Sequence, residues 1–137
     1  MVRTMKKIVC LMLSFILVFS LSACSRNVNQ VKTHNVESEI YSEEDIAAAI
    51  DTIKKEFKSW KGCTLTEIYY AGDDKSKDHQ DWADRNKSDE VIVLLSSFDV
   101  DSSGGNGSLN PNSTYDNWMW ILVRTNGGQW QHVDHGY

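Results

Sequence analysis

Three groups of residues carry side chains able to do chemistry. His132, Asp134 and His135 fall within four consecutive positions near the end of the chain. A carboxylate beside an imidazole orients a general base, so His132 with Asp134 is the candidate acid–base pair. Side chains alternate between the two faces of a strand; this places His132 and Asp134 together and turns His135 away. Asp99-Val100-Asp101-Ser102-Ser103-Gly104 has the spacing that opens a calcium loop, with oxygen ligands at positions one, three and five and a glycine at six. Position twelve, where a bidentate glutamate is wanted, is Asn110. Asp99, Asp101 and Ser103 are therefore the alternative calcium ligands, and the expected state holds no metal and no cofactor. Cys63 would need a nearby base to act as a nucleophile. The surrounding sequence shows none, and a small buried residue is the expectation.

Five tryptophans are the other notable stock. Trp60 and Trp130 are expected in the core. Trp118 and Trp120 lie two apart, so they share a strand face and are the candidate ligand-binding pair.

The elements that position these residues follow from periodicity. Ile46, Ile50, Ile53, Phe57 and Trp60 recur at spacings of four and three, one apolar helical stripe. Ser42 is its expected N-cap and Glu43-Glu44-Asp45 fill its positive end; Gly62 is the expected stop. The helix is thus predicted over about 43–61. Cys63–Tyr70 and Glu90–Val100 read as strands, with a short helix around Lys77–Arg85 between them. Residues 101–117 read as a loop. Trp118–Arg124 and Gln129–Asp134 read as a hairpin about Asn126-Gly127, because both central residues of such a turn need positive φ. The expected fold class is α+β, one long amphipathic helix on a four-stranded, mostly antiparallel sheet, formed by a single domain over 42–137. The Trp118–Arg124 strand is apolar on both faces. One face should pack on the helix; the other should line a pocket, meet a partner or lie beneath the preceding segment.

The start of the chain differs in composition. Arg3, Lys6 and Lys7 precede an uncharged apolar run over 8–23, which is the pattern of an export signal and short of the ~20 residues of a spanning helix. It ends Leu21-Ser22-Ala23-Cys24, which resembles the bacterial lipobox. That resemblance implies a signal peptide over 1–23, cleavage before Cys24, a diacylglycerol thioether on its sulfur, and a chain held on the extracytoplasmic face of the cell membrane. Two acyl chains hold stably where one is marginal. With the signal go three of 14 basic residues, leaving 11 against 19 acidic ones and a net charge of −8 over 114 residues. Such a charge repels nucleic acid, which is not an expected partner. Residues 25–41 are mostly polar and read as a flexible tether reaching roughly 23 Å, with a short edge strand near Val36–Tyr41 as the competing reading.

The closing pattern Trp118-x-Trp120-Ile-Leu-Val-Arg-x-x-Gly-Gly-x-Trp130-x-x-Val133-x-x-Gly136 resembles the last hairpin of NTF2-like domains, which occur in small bacterial lipoproteins; a cystatin-like single-helix version is equally compatible. The favoured expectation is a non-catalytic, membrane-tethered domain that binds a small ligand, a wall component or a protein through the tryptophan-bearing face or the 101–117 loop. The alternatives are a pocket enzyme of the same fold using His132 and Asp134, and a calcium-stabilised module.

Overall fold

A computed structural model describes residues 26–137. The apolar run, the lipobox and Cys24 lie outside the described residues.

Helix α1 spans Glu43–Phe57. Its start follows the sequence: the Ser42 hydroxyl accepts from the Asp45 amide at 3.1 Å, and the Asp45 carboxylate accepts from the Ser42 amide at 3.2 Å. This reciprocal capping satisfies two donors that would otherwise be orphaned. Ala49, Ile50, Ile53 and Phe57 are buried. The helix stops at Phe57 rather than at Lys61. The Ser59 hydroxyl donates to the Glu56 carbonyl, and the Trp60 amide to the Phe57 carbonyl. These tight turns lay the Trp60 ring over that of Phe57, with centres 5.2 Å apart. Gly62, at φ +76°, then turns the chain into the sheet, where a Cβ would meet a carboxylate oxygen of Asp101 at 2.8 Å.

Strands β1 (Cys63–Tyr70), β2 (Glu90–Val100), β3 (Ser113–Arg124) and β4 (Gln131–Gly136) form one antiparallel sheet in the order β1-β2-β3-β4. The class is α+β, as expected. The first two strands have the predicted bounds; β3 begins five residues before Trp118, because its pairing with β2 continues to Val100–Ser113 through main-chain bonds that need no apolar side chain. The Asn126-Gly127 turn has the expected positive φ at both residues, 53° and 65°. Trp130 leaves the ladder to enter the core, and β4 starts one residue later.

Each face of the sheet has its own cover. Trp120 and Leu122 lie on the α1 side with Ile68, Leu94 and Phe98. On the other, Ile121 and Val123 pack with Val91, Val93 and Ala83, beneath two short helices, α2 (Asp73–Asp78) and α3 (Gln80–Arg85). The second face therefore needs no partner, pocket or tether, and Trp118 and Trp120 belong to the helix side. The sequence predicts one weak helix there; the chain forms two, broken at His79.

Residues 26–41 are not a free tether. A 3-10 turn over Arg26–Val28 packs Val28 on the core, and Val31 and Val36 follow. Lys32 pairs in parallel with Glu67 on the edge of β1, and Tyr41 is buried with its hydroxyl on the Val91 carbonyl. The polar composition hid this because three valines spaced along an extended segment make no periodic signal. The domain thus extends back at least to Arg26.

At the start of α1 a set of polar bonds joins helix to sheet. Arg124, at the end of β3, holds Asp45 at 2.9 Å and also Glu90, while its guanidinium lies 4.2 Å over the Trp130 ring. The Trp130 indole donates to the Asp45 carbonyl at 3.0 Å.

Candidate functional site

The far end of α1 is built differently. There Trp60, the start of β1, the 101–112 loop, Trp118 and His135 surround a cleft of about 460 Å³. Trp60 is its hinge, with ring centres 5.1 Å from Trp120, 6.2 Å from Trp118 and 5.0 Å from His135. Leu109 packs back onto the core and closes the loop side, while Lys61 brings an exposed ammonium to the rim.

The two candidate tryptophans separate here. Trp120 is fully buried and its indole donates to the Ser96 hydroxyl at 2.7 Å. Its expected ligand role is corrected: with the face buried and the donor satisfied, it is a core residue. Trp118 is half-buried and lines the cleft. Its indole nitrogen is buried and, alone among the buried side-chain polar atoms of the described residues, has no hydrogen-bond partner. A buried donor left unsatisfied costs about 1–3 kcal/mol; the nitrogen is closed off from solvent, so an acceptor on a ligand removes that cost once the ring turns toward the cleft. Trp60 is the residue that sequence reasoning assigned only to the core; its place at the helix end, beside Gly62, was the available signal.

The histidine cluster also departs from simple alternation. Leu122 pairs with His132 and Ile121 with Asp134, so the register slips past Val133. This bulge brings His135, opposite Trp120, to the face that His132 occupies and sends Asp134 to the other. His135 Nδ1 lies 3.2 Å from His132 Nε2, and the expected His132–Asp134 pair is replaced by a His132–His135 pair. Burial, and next the neighbouring His135, lower the His132 pKa below that of a free imidazole.

The calcium alternative does not assemble. Asp99 accepts from the Thr114 hydroxyl at 2.7 Å, whereas Asp101 accepts from both the amide and the hydroxyl of Ser103. The carboxylates serve a strand pair and a turn, and Ser103 is a donor to Asp101 rather than a third ligand. Among the described residues no group of three or more His, Cys, Asp or Glu is placed to hold a metal ion. Cys63 is buried, and burial followed by the Asp101 charge pushes its thiol pKa up, the opposite of an activated nucleophile.

A second cavity, about 920 Å³, runs between residues 33–42 and the start of α1. Glu37, Glu39, Glu43 and Asp73 contribute carboxylates to its walls. Burial of Asp73 opposes its ionisation, yet bonds from Ser38, Tyr70 and the Glu39 amide prevail and lower its pKa. These bonds fasten the segment to the start of α2 and the end of β1.

Comparison with family models, with curated proteins and with solved structures gives no match to this chain.

Proposed function

We propose that the chain is a membrane-anchored lipoprotein whose domain binds, without catalysis, a small ligand carrying an apolar ring or chain and a hydrogen-bond acceptor. The observation that carries the binding reading is Trp118, which lines a cleft flanked by Trp60, His135 and Lys61 and whose indole nitrogen lies unpartnered behind that wall. Aromatic rings supply area, while an N–H and an ammonium fix an acceptor or anion. The His132–Asp134 pair on which the pocket-enzyme alternative rests is parted by the register slip in β4, which favours binding over that alternative. For the fold, a single fifteen-residue helix on a four-stranded meander supports the cystatin-like version over an NTF2-like domain with more helix ahead of the sheet.

The anchor reading rests on the lipobox pattern, and no helix among the described residues is long and apolar enough to cross a membrane. Asn27 donates to the Phe57 carbonyl at 2.7 Å, and the three residues from Cys24 span at most about 10 Å. A lipid on Cys24 would therefore hold the Trp60 end of the domain, with exposed Arg26, Lys58 and Lys61, close to the bilayer. On this reading the ligand comes from the membrane surface rather than from bulk solvent.

Two variants test the two parts. Cys24→Ala should abolish labelling by radioactive palmitate; equal labelling of variant and parent removes the anchor. For the cleft, the aromatic sulfonate anilinonaphthalene sulfonate serves as probe. Trp118→Phe keeps most of the ring and loses the donor, and should weaken probe binding by roughly tenfold, the worth of one net hydrogen bond. Unchanged affinity in Trp118→Phe and in Trp60→Ala removes the cleft.

A further inference from the structure

The His132–His135 pair has a geometry that the binding reading does not use. The nitrogens that face each other are 3.2 Å apart and the ring centres 5.2 Å apart, with the planes 25° from parallel. Zinc binds imidazole nitrogen at roughly 2.0–2.1 Å, so two imidazoles on one tetrahedral ion have nitrogens about 3.3 Å apart and, with the ion in both ring planes, ring centres about 5.2 Å apart. The same spacing serves an N–H···N hydrogen bond between the two imidazoles when no ion is bound. The geometry points to a site in which His132 Nε2 and His135 Nδ1 together hold one late first-row divalent cation such as Zn²⁺, at the edge of the aromatic cleft.

Two further observations agree. His135 is exposed and borders the cleft, so an ion has a path in, whereas His132 is half-buried and held by its pairing opposite Leu122. The bulge between Ile121 and Leu122 is what brings both imidazoles to one face; a regular strand would have parted them. With two protein ligands, the remaining coordination positions stay open to water or to an acceptor group on a ligand in the cleft. Imidazole ligands select zinc, nickel and copper over calcium and magnesium, which take oxygen.

The test uses the full chain purified in mild detergent and titrated calorimetrically with zinc chloride. The expected result is one saturable site per chain, with copper tighter than zinc, as the general affinity order requires, and with no heat from magnesium or calcium. Trp60, Trp118 and Trp120 all lie within 6 Å of a histidine ring centre, so bound Cu²⁺ should also quench tryptophan fluorescence. His135→Ala, at an exposed position, should weaken zinc by at least about tenfold, since even a lost supporting contact of a metal ligand costs ~10–100-fold. His132→Ala should do the same, and His79→Ala should change nothing. No saturable zinc binding by the parent, or equal affinity in His135→Ala, would overturn the proposal. Because the proposal is independent of the ligand reading, a chain that binds the sulfonate probe but not zinc loses this site alone.

Discussion

The two ends of helix α1 solve opposite problems with similar residues. At its start, an indole, a guanidinium and two carboxylates close on one another: Trp130 finds the Asp45 carbonyl, and Arg124 finds Asp45 and Glu90. At its finish, Trp118 has a buried indole with no acceptor, two imidazoles lean together, and the rings surround open space. The first end is saturated and the second is not. Saturated polar networks hold a structure in one arrangement, whereas unsatisfied donors beside a cleft are where a ligand gains most. Strand β3 shows the contrast over two residues, since Trp120 is sealed by Ser96 and Trp118 is left unpaired.

The largest effect should come from unlatching the saturated end. Arg124→Ala removes the partner of two carboxylates, and we expect a loss of about 2–4 kcal/mol in a denaturant titration, below the full range for a buried pair because Asp45 and Glu90 remain partly wetted. The same variant should leave binding of the sulfonate probe at the other end unchanged. A loss near zero, or a loss of probe binding in folded protein, would mean that the two ends are not distinct.

Much of this contrast was legible in the sequence and some was not. The Ser42 cap, the helix stripe as far as Phe57, both early strands and the Asn126-Gly127 turn rest on local rules, and each stands where those rules put it. The cover on the second sheet face was hidden, because α2 and α3 are two short polar helices with little apolar period. The site depended on a feature with no sequence mark, the one-residue slip opposite Ile121 and Leu122. Strict alternation joins His132 to Asp134; the slip joins it to His135 instead. Nor could pattern tell Trp118 from Trp120, since the difference is a hydroxyl on the neighbouring strand.

Acid should distinguish the ends by a smaller margin. His132 has a lowered pKa in the fold, chiefly through burial, so below the unfolded value near 6.5 the unfolded chain binds a proton that the folded chain resists. Stability should therefore fall as pH drops from 6.5 toward the folded pKa and be flat just above 6.5 on this account. Asp45 has its pKa lowered, first by the Arg124 bond. Its contribution is present above the usual carboxylate value and is lost only as pH falls through its lowered one. Melting temperatures between pH 5 and 8 should show a slope near 6 that His132→Asn flattens and Asp45→Asn does not. A slope that survives in His132→Asn would assign it elsewhere.

The central claim, that ligand enters at the unsaturated end, is tested most directly by the five tryptophan indole N–H resonances of the ¹⁵N-labelled chain. As anilinonaphthalene sulfonate is added, the Trp118 signal should move furthest and Trp60 should follow. Trp120, Trp130 and Trp82 should stay in place. Movement of Trp130 or Trp82 while Trp118 stays fixed would contradict the account.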